Sequence, residues 1–447
     1  MPAQRGDTSK GCTPRGVWRL PRGRAVAARP RRWVWFDGRV TEQATPEVQA
    51  AAVEYARRRA LIGSAFSPAT PLTNKDLFAG RLDQLQRLLD VFNSSGRHAI
   101  MYGERGVGKT SLARLMHAIL STPSLSLYYT CSSAEDYGSI WRGVLGEARL
   151  TTQRPRPGFR DDIATTVVSA VELLEAANGS ISPNDVRHVL ATLSQNQPVV
   201  VFIDEFDRLT SRRPKTLFAD TIKLLSDNAM PVTIVLVGVG DTVDDVIAEH
   251  ASISRNLVQI PMPRMQDSEI QQIIEKGMDA AELGVDESFK ANVVQLAQGL
   301  PHYAHLISQH AAFVTLESSR YDVIAGDFPA AIARALNDVS ETIRDQYYKC
   351  TVSNRATIYR EVLLACALAT KDEIGTFGAP DVREKLREIT GQNYDLPAFA
   401  THLRDFSGDG DRGGILKRRE GAHPRYKFVD PLLPPYVVMR GQADGLL

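Results

Sequence analysis

The stretch GERGVGKTS, at residues 103–111, combines glycine, lysine and hydroxyl side chains in the spacing G-x-x-x-x-G-K-[ST]. Glycines at these positions let the N–H groups of a loop point at phosphate oxygens, and the helix that follows offers its positive N-terminus. Lys109 would neutralise the β- and γ-phosphates, and the Thr110 hydroxyl would bind Mg²⁺. We call residues 103–111 the P-loop and predict that all of them cradle a nucleoside triphosphate: Gly103, Glu104, Arg105, Gly106, Val107, Gly108, Lys109, Thr110 and Ser111.

A pair of carboxylates follows the P-loop at a distance of about 95 residues. The apolar run VVVFI, at 199–203, predicts a buried strand, and Asp204 and Glu205 stand at its carboxyl end. Asp204 can hold the hydration shell of Mg²⁺, and Glu205 can polarise an attacking water. Such a pair could instead be the solvated end of a strand. Combined with a complete P-loop, it predicts hydrolysis of the bound nucleotide.

The P-loop and the carboxylate pair can lie side by side only if the strands that precede them end at the same edge of a sheet. Between residues 73 and 264, short apolar runs alternate with amphipathic helical stretches, and the strand candidates are 98–102, 124–130, 198–204 and 232–239. Strands that are apolar on both faces and separated by helices predict a parallel sheet covered on both sides. The fold class is therefore α/β, with a doubly wound parallel-sheet P-loop NTPase core at 73–264.

The remainder of the chain predicts helices and a hairpin. Helical spacing of apolar residues at 268–283, 286–298 and 301–316 indicates an all-α lid domain, which we place at 265–345. Three further helices, at 356–369, 379–391 and 396–406, precede two strands within 413–433. Three helices and a hairpin predict a winged-helix domain at 346–447, on which we expect the apolar tail at 428–439 to pack.

The predicted hairpin is basic. It contains five candidate contacts for DNA phosphates: Lys417, Arg418, Arg419, Arg425 and Lys427. The third helix offers only His402 and Arg404 as donors to bases, so backbone binding is favoured over sequence-specific binding. The alternative is a solvated or protein-docking face.

Composition limits the other possibilities. With 43% hydrophobic and 23% charged residues among 447, the chain is typical of globular proteins, and a net charge of +1 means that any nucleic-acid contact must be local. Residues 1–40 hold ten Arg and Lys residues against Asp7 and Asp37. We interpret residues 1–72 as a disordered basic leader followed by a helix, although a nucleic-acid-binding arm is the alternative.

The cysteines and the apolar runs indicate in which cellular compartment the protein is expected. The four cysteines are scattered without a C-x-x-C pair, so neither disulfides nor structural zinc are expected. No apolar run approaches the roughly 18 residues that span a bilayer. We therefore expect a cytoplasmic protein with no membrane contact.

With these motifs the chain resembles the AAA+ ATPases and the related signal-transduction ATPases with numerous domains, and among them the origin-recognition and replication-initiator-like branch, which carries a C-terminal winged helix. LFAGR, at 77–81, is similar to the lead-in of these ATPases. The resemblance implies that the backbone of this stretch, with Leu77 and Phe78, flanks the adenine of ATP and that Arg81 also belongs to the cofactor-binding residues; an ordinary turn before a helix is the alternative. ATP and Mg²⁺ are the implied cofactors.

The same resemblance assigns three further positions. Asp241 stands at the sensor 1 place, where initiators commonly carry asparagine. Arg255 stands where many AAA+ proteins carry an arginine finger that reaches a neighbouring subunit; an ordinary surface arginine is the alternative. GLPHYAH, at 299–305, is similar to a nucleotide-sensing element, which implies contacts from Pro301 and His302. A sensor 2 arginine is not evident. An arginine finger acting between subunits implies a homo-oligomer or a partner ATPase.

Two functions follow from the sequence. The first is an ATPase that hydrolyses the β–γ phosphoanhydride and whose nucleotide state controls a winged helix bound to duplex DNA. The second is a nucleotide-dependent switch in signalling or defence, which assembles with protein partners instead of DNA.

Overall fold

The structure, a computed structural model, describes most of the chain after the predicted leader. The described residues are 46–68, 79–122, 124–155, 163–175, 180–240, 242–243, 256–352, 357–372, 375–408, 410–419 and 424–447. Residues 53–447 form one compact unit, and residues 1–52 form another, of which only the start of helix α1 (Pro46–Ala65) is described. The leader at 1–45 lies outside the described residues. The predicted domain boundaries stay a prediction.

Within the described residues, five parallel strands form the core sheet in the order β2-β5-β6-β1-β7. Their bounds are β1 His98–Gly103, β2 Leu125–Thr130, β5 Val199–Asp204, β6 Val232–Val239 and β7 Leu257–Pro261. All six residues of β5 are buried. The carboxyl ends of the strands meet at one edge, where Thr130 lies opposite Asp204 and Gly103 opposite Val239. The predicted parallel sheet is confirmed.

Alternate residues of each strand pack into two separate hydrophobic clusters. Met101, Phe202 and Val237 belong to one cluster, while Ile100 and Ile203 belong to the other. Because successive side chains of a strand point to opposite faces, this division gives one cluster to each side of the sheet. The helices that follow or separate the strands are α2 Leu82–Phe92, α3 Lys109–Leu120, α4 Tyr137–Leu145, α5 Ala170–Glu175, α6 Pro183–Leu193 and α7 Arg212–Asp227.

An antiparallel hairpin interrupts the alternation of strands and helices and was not predicted. Its strands are β3 (Arg149–Pro155) and β4 (Ile163–Ser169). β3 has no run of apolar residues, although Pro157-Gly158 in the linking sequence is a turn signal and β4 is rich in β-branched residues. These two signals were overlooked because β3 itself is polar.

The predicted all-α region has more elements than the sequence indicated. Its helices are α8 Asp267–Ala280, α9 Glu287–Ala297, α10 Pro301–Glu317, α11 Phe328–Asp338 and α12 Glu341–Thr351, and it also contains the two-residue strands β8 Gly284–Val285 and β9 Asp322–Val323. α10 begins with Pro301 at its first position, where the missing N–H costs nothing.

The C-terminal module, as we call residues 357–447, has the helices and the hairpin that the prediction of a winged helix requires. In its described part, the elements are α13 Tyr359–Leu368, β10 Phe377–Gly378, α14 Ala379–Thr390, α15 Leu396–Ser407, β11 Leu416–Arg419, β12 Arg425–Phe428 and α16 Leu433–Ala443. The strands form an antiparallel sheet in the order β10-β12-β11. Residues 420–423, the predicted turn, lie outside the described residues.

Most of the predicted apolar tail lies in α16, which packs against α13 and α12 among other helices. Gly441 lies against Leu364 of α13, and the ring of Tyr436 meets Tyr347 of α12 edge-on at 5.5 Å between centroids. Pro434 and Pro435 stand in the first turn, where proline is tolerated. α16 therefore ties the C-terminal module to the all-α region. No helix within the described ranges combines the length and apolarity needed to cross a bilayer.

A buried histidine makes the core sensitive to acid. His98, the first residue of β1, is 0% exposed, and its Nδ1 accepts a hydrogen bond from the backbone N–H of Ile234 at 2.9 Å. Burial lowers the pKa of His98 to about 4. The unfolded chain therefore binds this proton near pH 6.5 while the folded chain does not. Stability from this group is complete above pH 6.5 and falls as the pH drops towards 4, by up to about 3 kcal/mol.

We therefore expect His98→Asn to weaken the acid dependence of stability between pH 6.5 and 4.5. Asparagine keeps an acceptor for the Ile234 N–H but takes up no proton. Urea unfolding at several pH values measures the slope, and His188→Asn, at an exposed position, serves as control. Equal slopes for His98→Asn and wild type would contradict the assignment.

Candidate functional site

The P-loop links the end of β1 to the start of α3 at the carboxyl edge of the sheet. β1 ends at Gly103 and α3 begins at Lys109. Gly106 and Gly108 have φ angles of +86° and +94°, a left-handed backbone that side chains other than glycine rarely adopt. The loop between strand and helix thus has the conformation for which the motif provides its glycines.

The side chain of Lys109 is buried against the backbone of the P-loop. It is 8% exposed, and its Nζ donates to the carbonyl oxygens of Gly103 at 3.0 Å and Glu104 at 2.8 Å. Burial lowers the pKa of Lys109 to about 8, and the negative charges of Asp207, Asp204 and Glu104 oppose that shift. A buried ammonium with only carbonyl partners is stabilised further when an anion arrives.

Asp204 is held by two donors. It is 3% exposed; its Oδ1 accepts the backbone N–H of Glu205 at 2.8 Å, and its Oδ2 accepts the hydroxyl of Tyr128 at 2.5 Å. Burial and the charge of Asp204 hold the pKa of Tyr128 well above its usual value, so the phenol remains a donor. The carboxylate is therefore fixed at the end of β5.

Glu205 projects from the same strand end through an uncommon backbone conformation. Its φ is +53°, in the left-handed region, where a non-glycine residue costs about 1 kcal/mol or more. Its Oε2 pairs with Nη1 of Arg208 at 2.6 Å, and both side chains are about half exposed. Asp207 Oδ1 accepts the backbone N–H of Val239 at 2.8 Å, which connects this turn to β6.

A cavity of about 1080 Å³ brings these residues together. This is the size of a site for a nucleotide-sized ligand, since such sites measure roughly 300–1,000 Å³. Its lining includes the P-loop and carboxylate residues Arg105, Gly106, Gly108, Lys109, Thr110, Ser111, Asp204, Glu205, Asp207 and Arg208. Its other lining residues include Pro68, Ala79, Met265, Ile273, Pro301, His302 and His305.

The cavity combines charged and apolar lining residues, as the phosphates and the base of a nucleotide require. Lys109 and Arg105 supply cations for phosphates, whereas His302 and His305 are neutral rings beside apolar side chains. Burial lowers the pKa of His302, whose Nδ1 lies 2.9 Å from the carbonyl oxygen of Pro68, and lowers that of His305 to about 4. A hydroxyl and a carboxylate, from Thr110 and Asp204, are ligand types that suit Mg²⁺ together with phosphate oxygens. The residues present therefore fit a nucleotide with Mg²⁺.

Some predicted site residues lie apart from the cavity. Gly103, Glu104 and Val107 do not line it. Glu104 instead pairs with Arg264 at 2.8 Å and with Lys427 at 3.5 Å. Leu77, Phe78, Asp241 and Arg255 lie outside the described residues, so their assigned roles stay predictions.

The side chain of Arg81 is hydrogen-bonded to the backbone of the P-loop. It is 3% exposed, and its guanidinium donates to the carbonyl oxygens of Val107 at 2.9 Å and Pro263 at 2.5 Å. The residue also lines the cavity. It thereby links the loop to the segment that leads into the all-α region.

The basic residues predicted to contact DNA divide into two groups. Lys417, Arg418 and Arg419, on β11, are exposed. Arg425 and Lys427, on β12, form ion pairs with Asp372 at 3.0 Å and Glu104 at 3.5 Å. The first group is exposed, whereas the second is only partly exposed.

Sequence reasoning did not identify Tyr128, Arg208 or His305. Tyr128 lies 76 residues before Asp204, and nothing in its own neighbourhood marks it. Arg208, four residues after Asp204, stands within the turn that carries the carboxylates and could have been singled out as a cation beside them.

Comparison with known proteins agrees with this geometry in part of the chain. Residues 77–235 match the family model described as the AAA ATPase domain. No curated protein matches the chain in sequence.

Solved structures with a similar chain trace include the Walker-type ATPase PABY2304 of Pyrococcus abyssi, with 17% identity, a TM-score of 0.49 and coverage of 83% of this chain and 99% of that one. The Aeropyrum pernix ORC1 protein in complex with DNA has 16% identity, a TM-score of 0.43 and coverage of 88% and 98%. Cdc6p from Pyrobaculum aerophilum has 15% identity, a TM-score of 0.42 and coverage of 85% and 98%. At such scores the likenesses carry no argument about activity or partners.

Proposed function

We propose that this chain, an ATPase of the AAA+ type as its sequence predicts, uses the state of its bound nucleotide to control the contact of its C-terminal module with duplex DNA. In this proposal Lys109 neutralises the β- and γ-phosphates, Thr110 and Asp204 hold Mg²⁺, and Glu205 orients and deprotonates the attacking water. Bound Mg²⁺ would supply charge neutralisation at the phosphate oxygens. The protein's own contribution is positioning and electrostatic stabilisation.

The contact between the P-loop and the C-terminal module carries the proposal. Lys427 Nζ lies 3.5 Å from Glu104 Oε1, and Arg105 Nη1 lies 3.7 Å from Asp430 Oδ2. A Cβ placed on Gly106 would stand 2.8 Å from Leu432 Cδ2. Three consecutive P-loop residues thus touch either β12 or the segment that joins β12 to α16. A loop that rearranges around phosphate would move that segment directly.

The all-α region takes part in the same junction. Arg264, which precedes α8, shares Glu104 with Lys427. Tyr303 of α10 donates its hydroxyl to the carbonyl oxygen of Leu432 at 2.5 Å. α10 also lines the nucleotide cavity through His302. A shift of this helix would therefore also displace the segment between β12 and α16, through the hydrogen bond of Tyr303.

The outward-facing charges of β11 are the proposed DNA contact. Binding through phosphates depends on salt, because each neutralised phosphate releases counterions. We expect the intact protein to shift duplex DNA at low salt, with an affinity that differs between ATP and ADP.

Charge reversal tests this proposal. Arg418→Glu with Arg419→Glu is expected to weaken DNA binding at least about tenfold at low salt and to make the slope of log K against log [salt] shallower by about two. The matched control is Arg97→Glu with Lys223→Glu, which changes the net charge equally at exposed positions of the core. A salt-titrated mobility shift measures both. Equal binding by the two variants would argue against β11 as the contact.

One observation favours the second candidate, a nucleotide-dependent switch with protein partners. The helix that would enter a DNA groove, α15, exposes Leu396, Pro397, Ala398 and Ala400, which suits a protein surface better than base edges. Under this reading neither wild type nor variant binds DNA at low salt, and light scattering shows an ATP-dependent change in size. A monomer in every nucleotide state would argue against an arginine finger acting between subunits.

A further inference from the structure

Tyr128 connects the second strand of the core to the metal-binding end of the proposed site. It lies on β2, beside Phe202 of β5 in the sheet register, and its hydroxyl reaches forward to Asp204 Oδ2 at 2.5 Å. The hydroxyl is thus a side-chain donor to the carboxylate that we propose for Mg²⁺.

The ring of Tyr128 is fixed independently of that hydrogen bond. The guanidinium of Arg114, on α3, lies 4.5 Å from the ring centroid, and the ring of Phe202 is stacked with it at 6.0 Å. His117, also on α3, adds a tilted contact at 5.6 Å. Because α3 is the helix that follows the P-loop, the ring is held between the P-loop helix and the strand that ends in Asp204.

The hydrogen bonds of Asp204 leave acceptor sites available. An ionised carboxylate offers about four lone-pair sites, and the described contacts to the Tyr128 hydroxyl and the Glu205 N–H use one on each oxygen. Two donors on different oxygens fix both the position and the rotation of the carboxylate plane. The remaining lone pairs therefore have a set direction before any ligand binds.

We propose that Tyr128 is a positioning residue, whose hydroxyl orients the Asp204 carboxylate for the Mg²⁺ that accompanies the nucleotide. This inference rests on the proposed function, in which Asp204 contributes to the Mg²⁺ site. Partners that orient metal-binding side chains typically contribute about 10–100-fold to metal affinity.

The test is equilibrium binding of a fluorescent, non-hydrolysable ATP analogue to the full chain, once with saturating Mg²⁺ and once with EDTA. The ratio of the Kd in EDTA to the Kd in Mg²⁺ measures how much Mg²⁺ tightens binding. Tyr128→Phe, which keeps the ring contacts, is expected to lower this ratio about tenfold and to leave the Kd in EDTA unchanged. An unchanged or larger ratio would overturn the proposal, since the hydroxyl would then be irrelevant or would compete with the metal.

The adjacent residue provides a matched control. Tyr129 points to the opposite face of β2 and donates its hydroxyl to Glu135 rather than to Asp204. Tyr129→Phe removes the same atom from the same strand and is expected to leave the ratio at its wild-type value. An equal fall in both variants would mean that loss of a strand hydroxyl, not the contact with Asp204, is responsible, and would overturn the proposal.

Asp204→Asn separates failure of the inference from failure of the function on which it rests. If Asp204→Asn lowers the ratio and Tyr128→Phe does not, the inference alone is wrong. If Asp204→Asn leaves the ratio unchanged, the proposed role of Asp204 is wrong and the inference falls with it. In the Asp204→Asn background, Tyr128→Phe is expected to have no further effect. A further tenfold fall there would show that Tyr128 acts through another residue.

Discussion

In the Glu205→Gln variant, ATP turnover is expected to fall about 10²–10⁴-fold, the usual contribution of a general base, while nucleotide affinity stays within about twofold. Glutamine keeps the shape of the side chain but cannot accept a proton from water. The left-handed backbone at Glu205 aims the side chain from the end of β5 into the cavity that Lys109 and Thr110 also line. The site therefore loses its proposed base without losing the groups that bind phosphate.

Phosphate release at saturating ATP and Mg²⁺ measures turnover, and fluorescence titration measures affinity. Glu147→Gln, at an exposed position after α4, is the matched control and should behave as wild type. Unchanged turnover in Glu205→Gln would remove Glu205 from water activation. A parallel loss of affinity would instead indicate that the Arg208 pair, broken in this variant, shapes the phosphate site.

Lys109→Ala is expected to weaken nucleotide binding on the order of 10²–10³-fold, because it removes the desolvated charge that faces the phosphates. Lys109→Met, which keeps the aliphatic stem, should lose as much, since the charge rather than the volume is the cause. Titration with the fluorescent analogue measures both variants, and thermal unfolding reports whether the freed carbonyls of Gly103 and Glu104 destabilise the loop. Binding within about threefold of wild type in either variant would contradict the role of Lys109.

The sequence was informative where function depends on neighbours in the chain. A P-loop is a contiguous stretch whose glycines, lysine and hydroxyl act together, and Asp204 with Glu205 directly follow a strand that is buried throughout. The bounds of β6 coincide with the predicted 232–239 because both ends of that apolar run are abrupt. Such features can be predicted from the sequence alone.

Contacts between distant segments could not be predicted in this way. Tyr128 meets Asp204, and Glu104 meets both Arg264 and Lys427, only after the strands are ordered and the C-terminal module is placed. β3 and β4 were missed because β3 is polar and has no local pattern of apolar residues. Tertiary placement, rather than propensity, determines these features.

The surroundings of the basic residues in the hairpin likewise could not be predicted from the sequence. Counting basic residues predicts five candidate phosphate contacts, but a count takes no account of how exposed each side chain is. Arg425 and Lys427 have carboxylates of their own in Asp372 and Glu104. Because all three basic residues of β11 are exposed, the proposed DNA contact concerns this strand above all.

The contact between Gly106 and Leu432 places a second demand on a residue that phosphate binding already restricts. A methyl group at position 106 would meet both a left-handed backbone and the Leu432 side chain, whose Cδ2 would lie 2.8 Å from it. In a chain with a side chain at this position, the flexible end of Leu432 would have to move aside even if no nucleotide were bound. Glycine here is accordingly favoured by the backbone conformation of the loop and, more weakly, by the contact with the C-terminal module.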